Sequence, residues 1–356
     1  MGQGKMLGHA ANRATTPEAR QDPAATRHVI ILDGTLSSLT NGHETNAGLT
    51  YKLLTTQGAP DQVVFYEQGP QWCDLHTIGD VITGRGINGQ IRRAYHALAR
   101  RYRPGDRIFL FGYSRGAYAV RSLAGLIDKI GLLRADLASR GKVVQAFRFY
   151  QCDPEGPAAR EFARTHCHPR TRIEAVCVWD TVKALGLRLP LLWRLTEGKY
   201  AFHSHRLGPS VQHGYHALAL DENRVAYAPV LWDGTQDHEG HVEQVWFRGN
   251  HGDVGGQLTG FEAARPLANI PLVWMLQRAQ DCGLILPKGW ESRFPMDPEA
   301  PSVSSWRGWG RVFLLRHPRY VGLDPSERVH PTAAARDHPQ IRAIARAETV
   351  SPAQPT

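Results

Sequence analysis

The sequence predicts an α/β fold: a mostly parallel central sheet with helices on both faces and helical insertions. Three observations predict it. Short apolar runs alternate with amphipathic stretches from residue 28 onward. The runs are continuous rather than alternating, as strands buried on both faces require. Turn residues, above all Gly, separate each run from the helical pattern that follows.

HVIILDGT, residues 28–35, is an apolar run closed by Asp33 and Gly34, the form of a buried parallel strand ending in a turn. A second strand is expected over Val63–Gly69. The best helical pattern follows, with Ile87, Ile91, Tyr95, Leu98 and Tyr102 at three- and four-residue steps and Arg92, Arg93, Arg100 and Arg101 mostly on the solvated face. Pro104, Gly105 and Asp106 break it, and IFLFG, residues 108–112, reads as a central strand. Ala117, Val120, Ala124 and Ile127 form a new helical stripe that stops at Gly131. A helix over Val143–Tyr150 and polar, Pro-containing connections lead to the strand Ile173–Trp179. Leu185–Pro209 mixes LPLLWRL with HSHR and reads as an apolar flap or as plain core. Strands are expected at Val225–Trp232 and Val242–Phe247, the latter running into Arg248, Gly249, Asn250 and His251. One continuous pattern favours a single α/β domain over residues 28–345, between a disordered arm (1–27) and a disordered tail (346–356).

With 356 residues, 42% of them hydrophobic, and 9 Trp, 11 Tyr and 11 Phe, the chain has the apolar content of a folded core rather than of a disordered protein. No run approaches the roughly 18 consecutive apolar residues of a membrane span. The N-terminal residues lack the apolar stretch of a signal peptide, so a cytoplasmic location in the producing cell is expected. Five scattered cysteines (Cys73, Cys152, Cys167, Cys177 and Cys282) suit neither a disulfide framework nor a zinc site and read as reduced, mostly core thiols. The net charge of +9 invites nucleic acid, an anionic membrane surface or an anionic substrate, but no specific nucleic-acid motif accompanies it.

The sharpest motif is Gly112-Tyr113-Ser114-Arg115-Gly116, a G-x-S-x-G pentapeptide. The string alone is weak. Between an apolar strand and an amphipathic helix it has the setting of a nucleophile elbow, where a tight turn exposes the serine hydroxyl over a helix N-terminus. A serine needs a base and an orienting carboxylate. Asp180 follows the strand ending at Trp179, and His251 follows the strand ending at Phe247 in a Gly-flanked loop. Strand ends of a parallel sheet share one rim, so Ser114, Asp180 and His251 are the favoured triad. Asp253, Asp233 and Asp33 are the alternative acids; His213, His216 and His238 lack comparable placement. The oxyanion hole is expected from the backbone N–H of Arg115 and from Gly34 or Thr35, and the Arg115 guanidinium reads as a phosphate ligand or as a salt bridge holding the elbow.

The sequence resembles a bacterial and fungal family of uncharacterised α/β-hydrolase domains that includes phospholipase effectors of type VI secretion. The resemblance lies in LDGT (32–35), GDRIFLFGYSRGAYAVRSLAG (105–125), VWDTVKALG (178–186), YHALALDENR (215–224) and VWFRGNHGDVGGQ (245–257) followed by IPLVWM, with a weaker match at RVHPTAAARD. It covers about residues 28–285. It implies an α/β-hydrolase fold and serine-dependent hydrolysis of a carboxylic ester, of the lipase or phospholipase kind, through an acyl-enzyme and without a cofactor. It also brings in a secretion-machinery or immunity partner and delivery to a target cell without a signal peptide. The loop departs from the GVHSD-like sequence common in the family at Asn250 and Gly252.

Two other classes stand beside this reading. A metal-dependent phosphoesterase would use Asp33, Asp180, His251 and Asp253 as ligands, which leaves the elbow unexplained. DHEGH, residues 237–241, lacks the spacing that puts two histidines on one helical face. A non-catalytic binding module on the same fold would hold a partner by its basic surface.

Overall fold

Seven parallel strands form one sheet, and the central ones carry apolar side chains on both faces. The computed structural model of the chain describes residues 25–56, 58–71, 85–182, 206–306, 314–334 and 338. In chain order the elements begin with β1 (Arg27–Leu32), α1 (Asn46–Thr56), β2 (Gln62–Glu67), α2 (Arg85–Ala99), β3 (Arg107–Tyr113) and α3 (Arg115–Ile130). They continue with α4 (Arg140–Cys152), α5 (Pro157–His166), β4 (Ile173–Trp179), β5 (Val211–Ala219) and β6 (His241–Phe247). The short α6 (His251–Gly255), α7 (Arg265–Asp281), β7 (Glu327–Val329) and α8 (Pro331–Ala334) complete the order. The strands lie in the order β2-β1-β3-β4-β5-β6-β7, every pair parallel.

Successive side chains of a strand point to opposite faces, so a continuous apolar run feeds two cores. Ile108 and Leu110 of β3 pack in one core with α2 to α5, while Phe109, Phe111 and Tyr113 pack in the other with α1 and α7. Val176 and Val178 of β4 divide from Cys177 and Trp179 in the same way. The expected helices on both faces are therefore present. Arg93, Arg100 and Arg101 are exposed beside the buried Ile91, Tyr95 and Leu98, and α3 ends on Gly131 at φ 98°. Cys167, Cys177 and Cys282 are buried, whereas Cys152 is exposed; none of these four is in a disulfide.

The expected strand at Val225–Trp232 is not one. Val225–Tyr227 is a 3₁₀ turn, and Trp232 is anchored instead through its backbone to the Gln244 side chain on β6. The fifth strand is Val211–Ala219, whose Gln212, His213, Gly214 and His216 conceal an otherwise apolar run. His216 is nonetheless fully buried, its Nε2 accepting the Thr181 amide at 3.1 Å. Burial pushes this imidazole down to about 3, so it sits in the core neutral. Helix α7 also departs from an amphipathic pattern: it is buried nearly all round and carries Pro271 inside. The flap expected at Leu185–Pro209, apart from its last four residues, lies outside the described residues. So do Cys73, most of the N-terminal arm and the C-terminal tail. Among the described residues no helix is long and apolar enough to cross a membrane.

Candidate active site

The turn between β3 and α3 forms because two glycines let backbone approach backbone. A Cβ on Gly112 would lie 2.6 Å from Ala117 Cα, and one on Gly116 would lie 2.0 Å from the carbonyl oxygen of Leu32. Only glycine fits there, and α3 thereby starts against the end of β1. Ser114, between them, is held at φ 56°, ψ −118°, a region an L-residue occupies under strain. Its amide donates to Trp179 O at 3.0 Å, which ties the elbow to the end of β4.

Asp180 is the next residue of that neighbouring chain. It is fully buried, with φ 41°, and its amide donates to Ala217 O at 2.8 Å. Its Oδ1 accepts from the Ala219 amide at 3.0 Å. Across the rim, His251 is the first residue of α6. Asn250 caps this helix by accepting from the amides of Gly252 and Asp253, and Asp253 Oδ2 accepts from the Asn250 amide at 2.8 Å. The loop is gripped from the LDENR segment as well. Asp221 accepts from the Gly249 amide at 2.6 Å, and Glu222, paired with Arg224, accepts from the His251 amide at 3.2 Å.

These supports bring three side chains into one line. His251 Nδ1 lies 2.6 Å from Asp180 Oδ2, and His251 Nε2 lies 2.9 Å from Ser114 Oγ. The carboxylate fixes a proton on Nδ1, leaving Nε2 free to accept from the serine hydroxyl. The His251 ring stacks on that of Tyr113 (centroids 4.9 Å, 30°) and meets that of Tyr227 in a T-shaped contact (4.8 Å, 62°). Burial pushes the Asp180 carboxyl up, but the Arg319 guanidinium beside it and the hydrogen bonds from Arg319 and His251 outweigh that and hold it well below the usual carboxylate range.

The alternative acids lie elsewhere. Asp33 is fully buried under the β1 loop, accepting from the Gly34 amide (2.7 Å), Thr45 Oγ1 (2.6 Å) and Tyr66 OH (2.8 Å). Burial raises this carboxyl to about 6. Asp253 is spent on the Asn250 cap, on Ser302 Oγ (2.5 Å) and on the Val303 amide (2.8 Å). Asp233 is exposed. Asp33 and Asp253, each occupied in its own loop, do not join Asp180 and His251: among the described residues no three His, Cys, Asp or Glu side chains form a metal-binding group.

The expected oxyanion donors divide. Gly34 gives its N–H to Asp33 and is not available, whereas no acceptor among the described residues takes the amide hydrogens of Thr35 or Arg115. Thr35 Oγ1 is also buried without a partner. Arg115 is 4% exposed, and no salt bridge to it occurs among the described residues, so it does not brace the elbow by an ion pair there. Sequence reasoning missed Tyr227 and Arg319. Tyr227 stood in a misread strand, and Arg319 reaches Asp180 across 139 residues with no local pattern to mark it.

Residues 26–278 match the family model described as the type VI secretion system phospholipase effector Tle1-like catalytic domain. The uncharacterized protein YEL023C of Saccharomyces cerevisiae is 25% identical over 247 residues, 63% of this chain and 35% of that protein's length. The chain thus spans about a third of the curated relative it matches. Among solved structures, an uncharacterized protein from Pseudomonas aeruginosa is 15% identical with a TM-score of 0.43, covering 77% of this chain and 49% of that one. The Tle1 effector bound to the VgrG spike of the type 6 secretion system is 17% identical with a TM-score of 0.38, covering 68% and 55%. The thermophilic esterase Est2 of Thermogutta terrifontis is 15% identical with a TM-score of 0.40, covering 76% and 87%. With its match running from the first strand through most of α7, the chain belongs to the Tle1-like family of type VI secretion phospholipase effectors, by its catalytic domain.

Proposed function

We propose that this protein is a serine hydrolase of carboxylic esters, with phospholipid acyl esters as its substrate class. Ser114 Oγ attacks the ester carbonyl carbon while His251 Nε2 takes its proton. The developing oxyanion is met by the amide of Thr35, in the loop after β1, and by that of Arg115, at the N-terminus of α3, donors already in place before charge develops. His251 then gives the proton to the leaving alcohol, and water, activated by the same imidazole, hydrolyses the acyl-enzyme. Asp180 keeps the imidazole in the tautomer both half-reactions need.

The observation that carries this reading is the unbroken hydrogen-bonded line Ser114–His251–Asp180, with 2.9 and 2.6 Å links, on the rim of a parallel sheet. Family membership supports the phospholipid substrate and delivery by secretion machinery. The test is fluorophosphonate labelling together with release of fatty acid from a panel of phospholipids, lysophospholipids and short-chain esters. Labelling and release that both vanish in Ser114→Ala are expected; a folded wild type that does neither refutes the reading.

A further inference from the structure

Arg319 stands beyond residue 278, where the match to the family ends, yet its guanidinium lies in the reaction centre. Its Nη1 donates to Asp180 Oδ1 at 2.6 Å and its Nη2 to Oδ2 at 2.9 Å, the two-pronged match of a planar guanidinium to a carboxylate. The same nitrogens donate to the carbonyls of Ala219 (2.8 Å) and Tyr227 (2.6 Å). The fork is thus anchored to the end of β5 and to the turn whose tyrosine ring edges onto His251. Arg319 is 6% exposed and Asp180 not at all.

We propose that Arg319 is a positioning residue of this hydrolase: it clamps Asp180 in its charged form and in the orientation that serves His251. The inference rests on the triad reading of Ser114, His251 and Asp180. Each Asp180 oxygen has two donors, Oδ1 from Arg319 and Ala219 and Oδ2 from Arg319 and His251. The other ionisable groups facing Asp180 are His251 on α6, His216 on β5 and Tyr113 on β3. His216 is neutral and Tyr113 carries no charge, so Arg319 is the fixed cation that balances this buried carboxylate. Without it, burial drives the carboxyl to take up a proton and turns an acceptor for His251 Nδ1–H into a competing donor. A lysine carries the charge but not the planar fork, so it restores only part of the clamp.

The test compares the full-length wild type with Arg319→Met and Arg319→Lys. Its readouts are fluorophosphonate labelling rate against pH and the downfield proton resonance of His251 Nδ1–H, with thermal melting to confirm folding. Arg319→Met is expected to label about 10²-fold more slowly at pH 7, on the scale of a misplaced catalytic group. Its rate is expected to climb with pH where the wild type is flat, and its downfield resonance to disappear. Arg319→Lys is expected to fall between. A folded Arg319→Met that keeps the wild-type rate, pH profile and resonance overturns the proposal. Should Arg319→Met not fold, Asp180→Asn is compared with Asp180→Asn/Arg319→Met: no further loss upholds action through Asp180, and an additional loss refutes it. If neither wild type nor variant labels, loss of the resonance in Arg319→Met still upholds the clamp while the hydrolase reading fails; its retention refutes the clamp.

Discussion

The ring of Tyr113 lies against that of His251, and its hydroxyl donates to the His251 carbonyl at 3.2 Å. The residue before the proposed nucleophile thereby supports the proposed base, so the elbow and the α6 loop are fitted to one another. Tyr113 is fully buried, and a Cβ on Gly255 would meet its ring at 1.8 Å.

Replacing Tyr113 separates the ring from the hydroxyl. Tyr113→Phe is expected to lose about 1 kcal/mol of stability and to keep most ester turnover, because what it removes is one hydroxyl proton shared between two long contacts, to the His251 carbonyl and to Gln257 Oε1. Tyr113→Ala is expected to lose about 3–5 kcal/mol through the cavity it leaves, and kcat should fall more than KM changes because His251 loses its support. Denaturant melts and steady-state kinetics on a short-chain ester check both.

Ser114 predicts a trade between stability and activity. Its positive φ is comfortable for glycine and strained for serine, and its side chain makes no cap to α3. Ser114→Gly is expected to melt higher, by about 1 kcal/mol of stability, and to be inactive. A lower melting temperature for Ser114→Gly than for Ser114→Ala refutes the strain argument.

The acids separate by substitution. Asp180→Asn is expected to reduce kcat by about 10⁴-fold, since an amide facing Nδ1 stabilises the wrong tautomer. Asp233→Asn, at an exposed position, is expected to leave turnover unchanged. Asp253→Asn disturbs the α6 cap and is expected to act mainly on stability, by about 1–2 kcal/mol. Equal losses in kcat for Asp180 and Asp253 variants contradict this order.

Asp33 predicts a stability change with pH. Burial raises its folded pKa from 3.8 to about 6, so the folded state holds this proton more tightly than the unfolded chain. Its contribution is fully present below about pH 3.8 and is lost as pH rises through about 6, amounting to as much as about 3 kcal/mol. Asp33→Asn stays neutral, so its stability relative to wild type should improve between pH 4 and 7. Parallel curves for the two proteins in urea unfolding across that range contradict this assignment.

How much of this was legible in the sequence depends on whether the cause is local. The strand Ile173–Trp179 is found with the bounds read from the sequence, because a run of apolar residues ending at an aspartate carries its own signal. The elbow is equally local: Gly112 and Gly116 encode the close approach themselves. Strand β5 was hidden by His213, Gly214 and His216, whose place in the sheet depends on distant partners: half-buried His213 meets the Glu174 carbonyl and buried His216 the Thr181 amide. Helix α7 was hidden because nearly every face is apolar and Pro271 interrupts it, leaving no stripe to read. VAYAPVLW looks like a strand, yet it packs as an irregular segment that brings Tyr227 to His251. Arg319 was beyond reach because its meaning lies wholly in a contact with a distant strand end.

The pairing of Tyr113 with Trp179 has a consequence for how such a centre is switched. Ser114 and Asp180 are consecutive to paired residues of neighbouring strands, and the Ser114 amide is bonded to that ladder. Separating them requires parting the middle of the sheet. His251 stands instead at the start of a five-residue helix fastened mainly by side-chain contacts from several segments, among them Tyr113, Asn46, Asp221, Glu222 and Ser302. The assembly therefore has two posts joined through the sheet itself and a third fastened mainly through side chains. An inhibitor, a binding partner or a mutation that disarms it without unfolding it has those side-chain fastenings as its mechanical handle.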